Sequence, residues 1–176
     1  MSAAAVLQLQ NKTPWGGLES AVARIVMKTV RECKIKMLSV ISELDSAGLP
    51  VGEPERNETE LDGFFHYAEG DGEVSEMRLT YREVGEGGSV DTEFEVGDGY
   101  AALTRKGAIC SRMEFREGVT CRSLYSIPPY SFDMAVTAKR LRIAMSKDGG
   151  RVDILYKMSI GGVDKSARMK ISVEPA

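Results

Sequence analysis

From Tyr130 onward, apolar and polar residues alternate with a period of two in three runs separated by short breaks, a pattern that fits half-buried strands and little else. Phe132, Met134, Val136 and Ala138 interleave with Ser131, Asp133 and Thr137. Beyond Lys139-Arg140 the apolar positions become Leu141, Ile143 and Met145, so the parity flips and a bulge is expected there. A turn at Asp148-Gly149 sets Met145 against Val152, Ile143 against Ile154 and Leu141 against Tyr156. A turn at Val163-Asp164 sets Ile160 against Ala167, Met158 against Met169, Tyr156 against Ile171 and Ile154 against Val173. Apolar residues meet apolar residues throughout, while Lys139, Arg140, Arg142, Arg151, Lys157, Arg168 and Lys170 are left mainly on the opposite face.

The same period runs through the earlier chain. Cys33, Ile35 and Met37 alternate with Glu32, Lys34 and Lys36. Glu58 to Ala68 and Val74 to Val84 flank Asp71-Gly72, a strong hairpin signal. With Gly70 paired to Glu73, His66 faces Met77, Phe64 faces Leu79, Asp62 faces Tyr81 and Glu60 faces Glu83. That register gathers His66, Tyr81 and Glu83 on one face with Phe64, Met77 and Leu79. Val90 to Val96 returns through Asp98-Gly99 to Tyr100–Lys106 with Phe94 opposite Leu103. Gly107 then leads into Ile109–Arg116 and Gly118 into Val119–Ser126. The turn at Glu117-Gly118 reads two ways: two residues put Arg122 on the Met113/Phe115 face, whereas three, with Gly118 left-handed, put Val119, Cys121 and Tyr125 there. Pro128-Pro129 makes a rigid corner before Tyr130.

Strands at this spacing, with no crossover helices between them, predict an all-β fold, either an antiparallel sandwich or a β-barrel of about 8–10 strands. Ahead of it, Leu18, Val22, Ile25 and Val26 share one helical face, which predicts a short helix over 18–28. Residues 1–17 read as a flexible tail, 18–176 as a single domain, and 45–57, with Gly48, Pro50, Gly52 and Pro54, as a long mobile loop. A chain of 176 residues buries about 70% of its unfolded surface, enough for a core without metal or disulfide staples. The net charge of −3 and pI near 5.4 supply no positive field for phosphate backbones. Cys33, Cys110 and Cys121 form no C-x-x-C pair and read as reduced thiols of a cytoplasmic protein. The first residues lack the basic segment of a secretory signal, and no apolar run approaches the ~18 residues that span a membrane.

Met113, Glu114, Phe115, Glu117 and Gly118, then Arg122-Ser123-Leu124-Tyr125, Pro129-Tyr130, Met134, Val136 and Thr137, together with Tyr81-Arg82-Glu83, carry a family resemblance. The chain from about Val30 to Pro175 resembles the YwiB-like family of small bacterial proteins. The resemblance implies a calycin-like (lipocalin-like) β-barrel and a function not yet established. Residues 1–28 have no counterpart in short members, loop 45–57 is longer than usual, and Ile-Pro-Pro-Tyr-Ser replaces the usual Pro-Tyr-Gly.

Buried among apolar groups, Glu83 beside Tyr81 and His66 would be suited to acid–base work, and pairing with Arg122 would make it structural instead. Tyr125, Tyr130 and Phe132 are candidates to line a ligand site rimmed by Pro128-Pro129, or ordinary core. One histidine and no cysteine cluster point to no metal and no cofactor. A non-catalytic role leads: binding of a small, partly apolar ligand inside the barrel through Tyr81, Glu83, Arg122, Tyr125, Tyr130 and His66. The alternatives are an enzyme using Glu83 with Tyr81, His66 or Arg122, and an interaction module using the outer face or the helix. The partners expected are thus a small molecule or another protein chain, a second copy included. Nucleic acid and membrane are not.

Overall fold

The computed structural model of the protein describes residues 2–8, 24–70 and 73–176. Alternation becomes eleven antiparallel strands: β1 (Ser2–Gln8), β2 (Arg24–Leu44), β3 (Pro50–Gly70), β4 (Glu73–Gly85), β5 (Gly88–Gly97), β6 (Tyr100–Gly107), β7 (Cys110–Phe115), β8 (Thr120–Ile127), β9 (Tyr130–Ser146), β10 (Gly149–Ile160) and β11 (Val163–Pro175). From β2 to β11 each strand pairs with the next, and β2 also pairs with β11. That double pairing closes ten strands into a barrel, so the ladders have no long free edge around the ring. β1 adds to β2 beyond the end of β11, from Ser2 opposite Val30 to Gln8 opposite Arg24.

The all-β barrel agrees with the alternation; the N-terminal expectations need correction. Residues 24–28 are strand, because β1 pairs with all of them and β3 takes up the other side of Met27 and Lys28. Residues 18–23 of the expected helix, and 9–17 of the expected tail, lie outside the described residues. Of the long loop expected over 45–57, Asp45–Leu49 remains, held by Asp45 Oδ1, which accepts from the amides of Ala47 and Leu49 at 2.9 Å each. The rest begins β3 and pairs with β2.

The β3–β4 register also departs from expectation. Asp71-Gly72 lies outside the described residues, but Gly70 does pair with Glu73. Between Ala68↔Ser75 and His66↔Arg78, two residues of β4, Glu76 and Met77, face only Tyr67. Glu76 stands at φ 50, the geometry of a bulge. Beyond it every side chain of β3 changes face: Phe65, not Phe64, meets Leu79, and Gly63, not Asp62, meets Tyr81. Phe65 is fully buried and Phe64 is 49% exposed.

The last strands keep their expected parity although both turns move. The first sits at Lys147-Asp148, so that Ile143 meets Val152 and Leu141 meets Ile154. The second sits at Gly161-Gly162, both at positive φ, as a two-residue hairpin turn favours, and Tyr156 meets Ala167. The expected bend at Lys139-Arg140 is present: Tyr156 pairs with Ala138 and Leu155 with Arg140. Gly118 adopts φ 76 and Ser111 pairs with Tyr125, which decides the open turn in favour of three residues.

The barrel centre is filled. Phe65, Phe94, Phe115, Ile35, Leu79, Leu103, Ile154 and Ile171 are fully buried, and the Phe115 and Tyr156 rings meet edge to face at 5.1 Å. Burial of each such side chain is worth about 1.5–3 kcal/mol. The core therefore lies in the region where the ligand was expected, and open space is found toward the ends.

Candidate functional site

Residues opposite one another on neighbouring strands share a face, so the pairings trace rings inside the barrel wall. Leu79, Phe94, Leu103 and Met113 form one apolar ring segment. The next ring up is largely polar: Tyr81 faces Thr92, Thr92 faces Arg105, Arg105 faces Ser111, and Ser111 faces Tyr125. Above this belt the wall opens on the β3 side, because β3 pairs with β4 no farther than Gly63↔Tyr81, and the β4–β5 hairpin continues with Glu83 and Val90 paired only toward β6.

The mouth so formed is a half-open cavity of about 520 Å³, lined by Glu83, Val84, Val90, Arg105, Ala108, Ile109 and Ile127. Its walls are the β4–β5 hairpin, the β6–β7 turn and the end of β8. The amide of Ala108 donates to Ser89 O at 3.0 Å and ties the first two walls together.

Tyr81 is 6% exposed, and its hydroxyl lies 3.2 Å from Met37 Sδ. Burial pushes its pKa up to about 12, against the lowering effect of Arg105; Glu83 adds to the rise and Thr92 opposes it. Burial likewise raises the Tyr156 phenol, and Arg105 again pulls down. Both phenols stay protonated near neutrality. Arg105 Nε and Ser111 Oγ, neighbours in the belt, are buried without a hydrogen-bond partner, while the Thr92 hydroxyl lies against the Tyr81 phenol. Unpaired buried polar atoms cost on the order of 1–3 kcal/mol each, so two side by side need an explanation.

The six expected site residues do not converge. Tyr81 and Glu83 do share the inner face, with Glu83 at the mouth. His66 was expected beside them, but the Glu76 bulge turns it outward, where its Nε2 lies 2.9 Å from Thr80 Oγ1. Arg122 is exposed on the outer face of β8, and Tyr125 is half-buried against the core. Tyr130 is 67% exposed. The acid–base grouping of Glu83 with His66 and Arg122 is therefore not assembled. The basic outer face of the last strands is also less uniform than expected, since Asp153 sits among its cations and takes a two-point contact from Arg168 at 3.0 and 2.7 Å.

His66 gives a pH prediction. Burial, with the nearby Arg78 adding and Glu93 opposing, lowers its pKa below the ordinary 6.5, so the folded chain binds its proton less readily than the unfolded chain. Its contribution to stability is complete above pH 6.5 and is lost as pH falls through the lowered pKa. Chemical denaturation at a series of pH values should show this decline as pH falls below 6.5, and a smaller one in His66→Gln. An identical decline in the variant would assign the effect to other groups.

Sequence reading passed over Arg105, Thr92 and Ser111. The signal was available: Phe94 opposite Leu103 already places Thr92 opposite Arg105 on the inner face, two residues along each strand.

The family described as "Domain of unknown function (DUF1934)" matches residues 51–172. The crystal structure of the ywiB protein from Bacillus subtilis is similar, with a TM-score of 0.68 at 24% identity over 84% of this chain and 93% of that one; the likeness is one of fold. No curated protein matches the chain.

Proposed function

The chain belongs to the DUF1934 family of domains of unknown function, and from that premise we propose that it is a non-catalytic barrel that binds a small, partly apolar molecule at its mouth. The observation that carries this reading is the cavity of about 520 Å³, in which Val84, Val90, Ala108, Ile109 and Ile127 surround one cation and one carboxylate, Arg105 and Glu83. Its size falls in the range of ligand pockets, and a mostly apolar lining with a few converging polar groups is what such pockets share. The filled centre supports the rim, rather than the barrel interior suggested by the sequence, as the place for such a site. The separation of Glu83 from His66 and Arg122 weighs against the enzyme reading. The three unpaired thiols agree with a cytoplasmic protein.

Native mass spectrometry of protein purified from its natural host tests the reading. A small molecule retained by the wild type and absent from Ala108→Trp, which fills the mouth, is the expected result. Wild-type protein free of any adduct, and unaffected in stability by extracts of small molecules from that host, would overturn it.

A further inference from the structure

Four arginines of the outer face are ion-paired, while Arg116, Arg122, Arg142 and Arg151 are unpaired among the described residues but exposed to solvent. Arg78 meets Glu93 at 3.2 Å, Arg82 meets Asp91 at 2.6 Å, Arg112 meets Glu95 at 3.3 Å and Glu114 at 2.9 Å, and Arg168 meets Asp153 at 2.7 Å. Arg105, on the inner face, makes no ion pair and no side-chain hydrogen bond among the described residues, and its Nε is buried without a partner. Arg31 and Arg140 also bury an unpartnered Nε, but Arg31 uses its other nitrogens on Lys147 O and Ala176 O, and Arg140 lies in the field of Asp153. Arg105 has instead two protonated phenols nearby and, on either side in the belt, the buried hydroxyls of Thr92 and Ser111, the second of them unpartnered.

A partly buried guanidinium with no counter-ion is costly, and its planar fork matches the two oxygens of a carboxylate. Glu83 lines the same cavity outside ion-pair distance of Arg105. Its carboxylate repels a dianion about twice as strongly as a monoanion, which favours a singly charged carboxylate over a phosphate. Resting on the mouth as the binding site, we propose that Arg105 receives the carboxylate of the ligand, with the apolar part of that molecule lying along Val84, Val90, Ile109 and Ile127.

The test uses the full-length chain labelled with ¹⁵N, titrated with octanoate, octanol and octyl phosphate. Octanoate is expected to shift the Arg105 Nε–Hε signal together with the amides of Val90, Ala108 and Ile127, and to bind at least tenfold more tightly than octanol. Arg105→Met should reduce octanoate to the octanol level, leave octanol unchanged, and raise the melting temperature of the ligand-free protein, because an unpaired buried charge has been removed. Arg105→Lys should keep part of the preference for octanoate. Equal binding of octanoate and octanol, or tighter binding of octyl phosphate, would overturn the carboxylate assignment and leave the mouth as a binding site. A steep fall in melting temperature for Arg105→Met would make the residue part of the fold and overturn the assignment in the same way. Absence of shifts at the mouth with all three probes would overturn both the assignment and the reading it rests on.

Discussion

Phe65→Ala is expected to lower the unfolding free energy by about 3–5 kcal/mol, whereas Phe64→Ala, its immediate neighbour, should cost less than about 1 kcal/mol. The contrast follows from the bulge at Glu76. Phe65 is fully buried opposite Leu79, and its truncation leaves a cavity that the rigid strands around it cannot close. Phe64 is 49% exposed on the outer face, and its loss exposes little. In a domain whose total stability is of the usual 5–15 kcal/mol, the first change brings the protein close to unfolding. At about 2–4 °C per kcal/mol for a chain of this size, thermal melts separate the two variants clearly. Equal losses would show that the strand is not bulged, and a larger loss for Phe64 would restore the register read from the hairpin signal alone.

The second large effect is expected at Gly63, where β2, β3 and β4 come together and the wall begins to open. A Cβ at this position would lie 2.7 Å from Thr80 O, 2.7 Å from Ile35 Cδ1 and 3.2 Å from Tyr81 Cβ. The Ile35 methyl can move aside; the Thr80 carbonyl belongs to the ladder and moves only with the strand. Gly63→Ala should therefore cost about 2–3 kcal/mol, and Gly63→Val more, through overpacking rather than through glycine's backbone freedom. The displaced strand carries Tyr81 and, two residues on, Glu83 of the mouth, so the variant should also weaken the octanoate binding proposed there. Denaturant melts read the first effect and the octanoate titration the second. A fully stable Gly63→Val protein would mean that β3 and β4 do not approach this closely.

How much of this was legible in the residues depends on the strand. Between Tyr130 and Pro175 the apolar parity is right although both turns were placed wrongly, because each turn's displacement moves the pairing by an even number of residues and leaves every side chain on its face. Asp98-Gly99 and its pairing of Phe94 with Leu103 were read correctly from the turn residues. The hairpin of β3 and β4 was not, since nothing in Ser75-Glu76-Met77 announces that a glutamate will adopt a positive φ. That one residue of slip removed His66 from the inner face and with it the acid–base grouping. Residues 24–28 read as helix because their strand partner is remote in sequence, near the chain start. Arg105 was legible and went unread: charged residues in alternating strands are assumed to point outward, and this one does not.

Arg105 points into the mouth, between two neighbours that point away from it. Cysteine scanning at 104, 105 and 106, in a Cys110→Ser/Cys121→Ser background that retains the buried Cys33, tests it directly. Thr104→Cys and Lys106→Cys should react with small and bulky thiol reagents alike. Arg105→Cys should react readily with a small reagent and at least ~tenfold more slowly with a bulky one, because only the mouth gives access. Reaction of Arg105→Cys with the bulky reagent as fast as at its two neighbours would place residue 105 on the outer face and contradict the account.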